Sequence, residues 1–384
     1  MIHSRILLHS KLPDTPTTIF TRMSSLANEC GAINLSQGFP DFNCSPKLVE
    51  LVHRHMKKGD NQYAPMQGVL PLRERIAEKT LELYGRSYNP ESEITITAGG
   101  TQAIYVAITA LAHPGDEVIL FAPAYDSYAP AVKLCGATPV YINMAAPDFR
   151  IDWQQVKAAV NEKTRLILIN SPQNPTGTVL SAADMLQLQQ IVKNTNIVIV
   201  SDEVYEHIIF DRKHESVLHY PELAERSFVV FSFGKAYHVT GWKLGYVLAP
   251  GYLTAEFRKV HQYEVFCVNR PIQMALADFM QSKDEYRQLG DFYKKKRDLF
   301  NQYVQDSRFT LKPSDGTYFQ LLGYGNITGE RDTDLAIRWT KEAGVASIPI
   351  SVFYPDNRDY KMLRFCFAKE DDTLRRAGEL LCKI

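Results

Sequence analysis

Residues 232–246 read SFGKAYHVTGWKLGY and follow directly on 228–231, a short apolar run of β-favouring residues. Lys235 therefore stands a few residues past the end of a buried strand, an unusual place to keep an ammonium group. Ser232, Gly234 and Gly241 are small enough to let backbone and ligand approach closely, and Lys243 adds a second cation. A lysine amine held in a partly desolvated pocket beside another cation has a lowered pKa and can form a Schiff base with a carbonyl compound. Taken alone, a lysine at such a place reads first as a solvated loop residue. Its company elsewhere in the chain decides between the two.

Working outward, 228–231 is one of a series of apolar runs: 94–97, 117–121, 138–142, 166–169, 197–200, 228–231 and 244–248. Helix-sized segments such as 102–112, 153–160 and 182–193 lie between most of them. The alternation predicts an α/β fold, a large domain with a mainly parallel seven-stranded sheet between helices. We assign it residues 46–284, opened by helices from Lys47, with Leu48, Leu51, Val52, His55 and Met56 on one face, and from Leu72 to about Tyr84. The helical spacing of Leu289, Phe292, Tyr293, Leu299, Phe300, Tyr303 and Val304 then leads into a smaller α+β domain, residues 285–384. Its strands are expected at 309–311, 318–322, 346–350 and 363–367, with a closing helix at 373–381. Residues 1–45 show no long periodic segment and are expected to form an arm that completes this smaller domain.

In open α/β sheets the ligand sits beyond the carboxyl ends of the strands. There the chain places Gly99-Gly100-Thr101 leading into a helix, then Tyr125, Asn174, Asp202 with Tyr205, and Lys235. A glycine pair at a helix N-terminus holds phosphate through unpaired N–H groups, although it is also an ordinary turn. Tyr125 suits a ring face or a core position, and Asp202 suits a protonated ring nitrogen or a helix N-cap. Jointly, a phosphate cradle, an aromatic face, a carboxylate, an amide, a phenol and an amine match the parts of pyridoxal 5'-phosphate.

With 43 basic and 43 acidic residues the chain is neutral, which argues against nucleic acid or a charged membrane surface as partner. The six cysteines show no CxxC pair or Cys/His spacing, so no metal is expected, and they read as reduced thiols. The apolar patch near the N-terminus is too short for a secretion signal or a spanning helix. The expected location is the cytoplasm.

The 232–246 stretch resembles the lysine signature of the class I/II (fold type I) aminotransferases, and the whole chain resembles their methionine and kynurenine aminotransferase-like branch. NLSQGFPDF (34–42), NQYAPMQG (61–68), TAGGTQAI (97–104), SPQNPTG (171–177), SDEVYEH (201–207), GTYF (316–319) and LRFCFAK (363–369) follow in family order. The resemblance implies that Lys235 carries pyridoxal 5'-phosphate as a Schiff base and acts as the general base. Asp202 would pair with the ring nitrogen, Asn174 and Tyr205 with the phenolic oxygen, and Tyr125 with the ring face. Gly100, Thr101, Ser232 and Lys243 would hold the phosphate, joined by Tyr63 from the neighbouring subunit of a homodimer. Arg364 would fork onto the substrate α-carboxylate, helped by Asn174 and the backbone at Gly38, with Phe20 at the substrate. Two departures stand out: Lys243 occupies a position that is usually arginine, and Gly234 one where serine is common.

The implied reaction is ping-pong transfer of an α-amino group to a 2-oxo acid. No further arginine falls in a family motif, and Phe20, Phe39 and Tyr63 offer apolar walls, so methionine or aromatic and other apolar amino acids are the expected donors. Three rivals use parts of the same pattern: a cysteine-conjugate or cystathionine-type β-lyase, a kynurenine aminotransferase, and an aminotransferase-like regulatory protein. The last would need a basic DNA-binding module, for which a neutral chain of 384 residues leaves little room. A nicotinamide dehydrogenase is disfavoured because no GxGxxG follows an early strand.

Overall fold

The computed structural model describes residues 9–384, so the first eight residues of the expected N-terminal arm lie outside the described residues. Its centre is a seven-stranded sheet in the order Ile94–Thr97, Gly245–Leu248, Ser227–Ser232, Val198–Asp202, Thr164–Asn170, Glu117–Ala122 and Thr138–Asn143. Only Gly245–Leu248 runs against its neighbours; the remaining pairs are parallel. Alternate side chains explain why the central strands read as continuous apolar runs. Ile167, Ile169, Val229 and Phe231 enter the core on one face, while Leu166, Leu168, Phe228 and Val230 enter a second core on the other.

Beyond the sheet come helices Gly251–Glu264 and Arg270–Phe279, then the long helix Leu289–Val304. A four-stranded antiparallel sheet follows, in the order Ile348–Pro349, Met362–Cys366, Phe319–Gly323 and Thr310–Leu311. The run expected as one strand at 346–350 is divided: Val345–Ala346 pairs in parallel with Ile33–Asn34, and only Ile348–Pro349 joins the larger sheet. Pro349 has no N–H to donate, so the ladder stops there. Through the Ile33–Asn34 pairing, the N-terminal segment is tied to the C-terminal part of the chain.

Two local expectations are corrected. The first forty-odd residues do contain a helix, Ile19–Cys30, capped by the Thr18 side chain and closed by Gly31 in the left-handed conformation. In helix Pro46–Lys58, Leu48 and His55 are buried but Met56 is 45% exposed. The buried imidazole is held between Asp60 and Asp278 at 2.8 and 3.0 Å. Among the described residues no helix is long and apolar enough to cross a membrane.

Candidate active site

At the carboxyl ends of the central strands lies a cavity of about 380 Å3. The catalytic, cofactor and substrate residues named from the sequence line it, except for Tyr63, which is 77% exposed and packs edge-on against Phe266, and the wall residue Phe39. A second cavity, of about 360 Å3, lies behind the 171–177 loop and shares Tyr125 and Asn174. It touches neither Lys235 nor Asp202, so the reactive groups converge in the first.

One end of the cavity is an anion cradle. Helix Gly100–Leu111 begins at Gly99 without a side-chain cap, leaving its first N–H groups and the positive end of its dipole to the cavity. A side chain at Gly100 would put its Cβ 2.9 Å from a methyl of Val204, so the helix can start this close to the 202–205 turn only with glycine there. Thr101 and Ser232 add hydroxyls, and the Lys243 ammonium stands beside Gly99. Lys243 itself adopts a left-handed backbone conformation, φ 53°, which costs a residue with a Cβ about 1–2 kcal/mol and is held by the surrounding turn.

Asp202, the last residue of its strand, supplies the central carboxylate. No helix follows it, so the N-cap alternative is corrected: the carboxyl is buried, accepts the Tyr128 hydroxyl at 2.5 Å and accepts the Val204 N–H at 3.2 Å. Burial pushes its pKa up to about 6, against the opposing pull of Tyr128, the Val204 N–H and Lys235. A cation brought beside it therefore gains a carboxylate that water does not screen. Tyr128 was not singled out in the sequence; its spacing of three from Tyr125 at the start of helix Tyr128–Leu134 was the available signal.

Lys235 sits in the short helical turn Phe233–Ala236, with Nζ 2.7 Å from Tyr318 Oη and 3.4 Å from the Gly38 carbonyl oxygen. Burial lowers its pKa to about 8, with Lys243 and Arg364 acting in the same direction and Cys366 and Asp202 against it. Tyr205 lies close by, the amine standing 5.5 Å from its ring centre, and burial holds its phenol far above the ordinary range. With a pKa of about 8, about a tenth of the lysine is neutral amine at pH 7, far more than for an ordinary lysine.

Opposite stands Arg364, on strand Met362–Cys366 and fully buried. Its guanidinium donates to Asn174 Oδ1 at 2.6 Å and to the Ser36 carbonyl at 2.8 Å, and stacks 3.9 Å from the centre of the Phe319 ring. Nε is buried without a partner. Burying a guanidinium with a donor left over is costly unless a further acceptor arrives, and a carboxylate is the natural one. Of the apolar walls named from the sequence, Phe20 lines the cavity but Phe39 does not. Phe39 is 43% exposed, its carbonyl accepts from Lys369 and its ring faces the same ammonium at 4.9 Å. Phe319 takes its place, and the buried Phe353 backs Phe20 from behind, 6.0 Å away between ring centres.

Comparison with known proteins agrees with this constellation. The sequence matches the aminotransferase class I and II family over residues 31–381. It is 49% identical over 383 residues to methionine aminotransferase of Escherichia coli, covering 99% of each chain. It is 30% identical to the kynurenine–oxoglutarate transaminase of Dictyostelium discoideum, covering 99% of this chain and 98% of the relative. A solved Escherichia coli structure described as having a methionine aminotransferase function superposes with a TM-score of 0.97, at 49% identity, over 99% of this chain and 100% of that one. By family match, identity and shape together, the chain belongs to the class I and II aminotransferases, enzymes that use pyridoxal 5'-phosphate to move amino groups between amino acids and 2-oxo acids.

Proposed function

We propose that this transaminase takes methionine and other apolar or aromatic amino acids as its preferred donors, with Lys235, Asp202 and Arg364 as its central residues. The observation that carries the reading is their convergence on one cavity whose remaining walls supply an anion cradle and aromatic faces. The cofactor fits the residues present: the uncapped helix start, Ser232 and Lys243 suit its phosphate, and the buried Asp202 carboxylate suits a protonated ring nitrogen. Asn174 and Tyr205 serve its phenolic oxygen and Tyr125 its ring face. When bound, the cofactor supplies an electrophilic carbon and a ring that accepts an electron pair.

The chain's own residues do the rest. Arg364 binds the donor's α-carboxylate and fixes its orientation, with the Asn174 amide and the Gly38 backbone beside it. Asp202 remains ionised next to the ring nitrogen and keeps it positively charged, and Tyr128 steadies that carboxylate through its hydroxyl. Lys235, largely desolvated and partly neutral, takes the proton from the donor's α-carbon and later delivers it. Lys243, a point charge rather than a planar fork, leaves more of the phosphate to backbone amides than an arginine would.

Donor preference follows from the walls. The cationic side chains lining the cavity are Lys235, Lys243 and Arg364, all with other tasks, so a side-chain carboxylate finds no free partner. Phe20 and Phe319 instead offer rings suited to a thioether or an aromatic side chain. The relatives named for methionine and for kynurenine support that class of donor. We assign cofactor binding to residues 46–284 and closure over the substrate to residues 285–384 with 1–45. The working unit is a homodimer in which the exposed Tyr63 reaches the partner's phosphate cradle, and its location is the cytoplasm, where its six free thiols stay reduced.

An amino-donor panel with a common 2-oxo acid acceptor tests the reading. Methionine and phenylalanine are expected to exceed aspartate in kcat/KM by about 100-fold, the scale set by a buried carboxylate left unpaired. Aspartate equal to methionine contradicts the assignment of donors. Steady release of pyruvate and ammonia from a cysteine conjugate without added oxo acid identifies a β-lyase instead.

A further inference from the structure

The GTYF stretch stands out in the sequence, yet none of the roles above uses its tyrosine. Tyr318 precedes strand Phe319–Gly323, is completely buried, and places Oη 2.7 Å from Lys235 Nζ. Its hydroxyl donates to the Gly38 carbonyl oxygen, the same atom that lies 3.4 Å from Nζ. The tyrosine, the loop carbonyl and the lysine amine thus form a closed triangle at the reacting end of Lys235.

The hydrogen-bond directions follow from the donors and acceptors present. Burial and the neighbouring Tyr205 hold the Tyr318 phenol well above its ordinary pKa, so it keeps its proton. That proton is committed to Gly38, and the phenol oxygen is left to accept from Lys235. A neutral primary amine has two N–H bonds and one lone pair. With one N–H on Tyr318 Oη and the other on the Gly38 carbonyl, the lone pair remains free to form a bond or take a proton.

The triangle is rigidly built. The Tyr318 ring meets Tyr205 nearly perpendicular, 89° with centres 5.1 Å apart, and meets Tyr293 at 5.7 Å. Gly38 is pressed against the same strand, since a Cβ there would come within 2.7 Å of the Phe319 ring. Among the described residues, Tyr318 and Gly38 are the hydrogen-bond partners of Lys235.

We propose that Tyr318 is a further catalytic residue, whose phenol oxygen holds the unbonded Lys235 amine with its lone pair unobstructed. The inference rests on Lys235 being the lysine that carries the cofactor. Two events use the same posture. In cofactor capture, Nζ bonds to the aldehyde carbon, and the aldehyde oxygen leaves as water with the two amine protons. In turnover, the lone pair takes the α-proton of the donor.

The test compares wild type with Tyr318→Phe, which keeps the ring and its packing. Cofactor-free protein is mixed with pyridoxal 5'-phosphate, which bonds to Lys235, or with pyridoxamine 5'-phosphate, which fills the same site without that bond. Capture of the aldehyde, followed by its absorption, is expected to slow by about tenfold in the variant, the scale of losing the orientation of one reacting group. The Kd for the amine form should stay within about twofold, because phosphate and ring contacts are unchanged. In turnover, kcat should fall by about tenfold and the isotope effect with α-deuterated methionine should rise, as proton transfer comes to limit the rate. Equal capture rates in the two proteins overturn the inference alone. Weakened binding of both cofactor forms overturns it too, since that marks a purely structural tyrosine. Wild type that fails to capture the aldehyde overturns the cofactor assignment as well.

Discussion

Lys235→Ala is expected to lower kcat for methionine by about 10⁴-fold, the upper range for removing a positioned general base that is also a covalent anchor. The size of the effect follows from isolation. Nζ is buried, its hydrogen-bond partners are a phenol and a backbone carbonyl, and Lys243, the other lysine lining the cavity, stands beside Gly99 at the anion cradle. Stopped-flow mixing of the cofactor-loaded variant with methionine measures the step directly. Partial rescue by added methylamine, a small base that fits the vacated volume, would show that the missing function is proton transfer. A variant within tenfold of wild type would mean that another group carries the chemistry.

The second large effect is expected at Asp202. Asp202→Ala removes the carboxylate that keeps the ring nitrogen charged, and kcat should fall by about 10³-fold, comparable to removing a preorganised electrostatic partner in a water-excluded site. Single-turnover rates with methionine check it, and Asp202→Glu should retain more activity than the alanine form. The same residue makes a prediction for the cofactor-free protein. Its folded pKa is raised to about 6 from the ordinary carboxyl value, so folding binds the proton more tightly than the unfolded chain does. That contribution is full below the unfolded pKa and is lost as pH rises through about 6. Melting curves of cofactor-free wild type should therefore decline relative to Asp202→Ala as pH rises across that window, and added cofactor should remove the difference.

Much of the fold is written in the sequence because the central strands are buried on both faces. A strand such as Ser227–Ser232 must be apolar at nearly every position, and such runs announce themselves. The reactive groups are legible for a related reason: strand ends are where the chain leaves the sheet, so a polar residue just past an apolar run has few other reasons to be there. Helix Ile19–Cys30 was illegible because it buries only Met23 and Ala27, too narrow a stripe to stand out as a period. The division of residues 345–349 between two sheets was hidden because both partners, Ile33–Asn34 and Met362–Cys366, are far from it in sequence.

Within the site, the groups that touch one another across long separations were the ones missed. Tyr128 donates to Asp202 across 74 positions, and Tyr318 meets Lys235 across 83. Neither pairing leaves a local pattern, since a tyrosine in an apolar neighbourhood looks the same whether its hydroxyl faces a reacting atom or the core. Phe39 failed in the opposite direction. Its motif placed it beside Gly38 at the cavity, but the chain bends through 36–39 and the ring turns out towards Lys369.

The most direct measurement is chemical. Protein loaded with pyridoxal 5'-phosphate is reduced with borohydride, digested and mapped by mass spectrometry. The account predicts a single pyridoxyl-phosphate adduct, on the peptide containing Lys235; an adduct on any other lysine, or none, would contradict it.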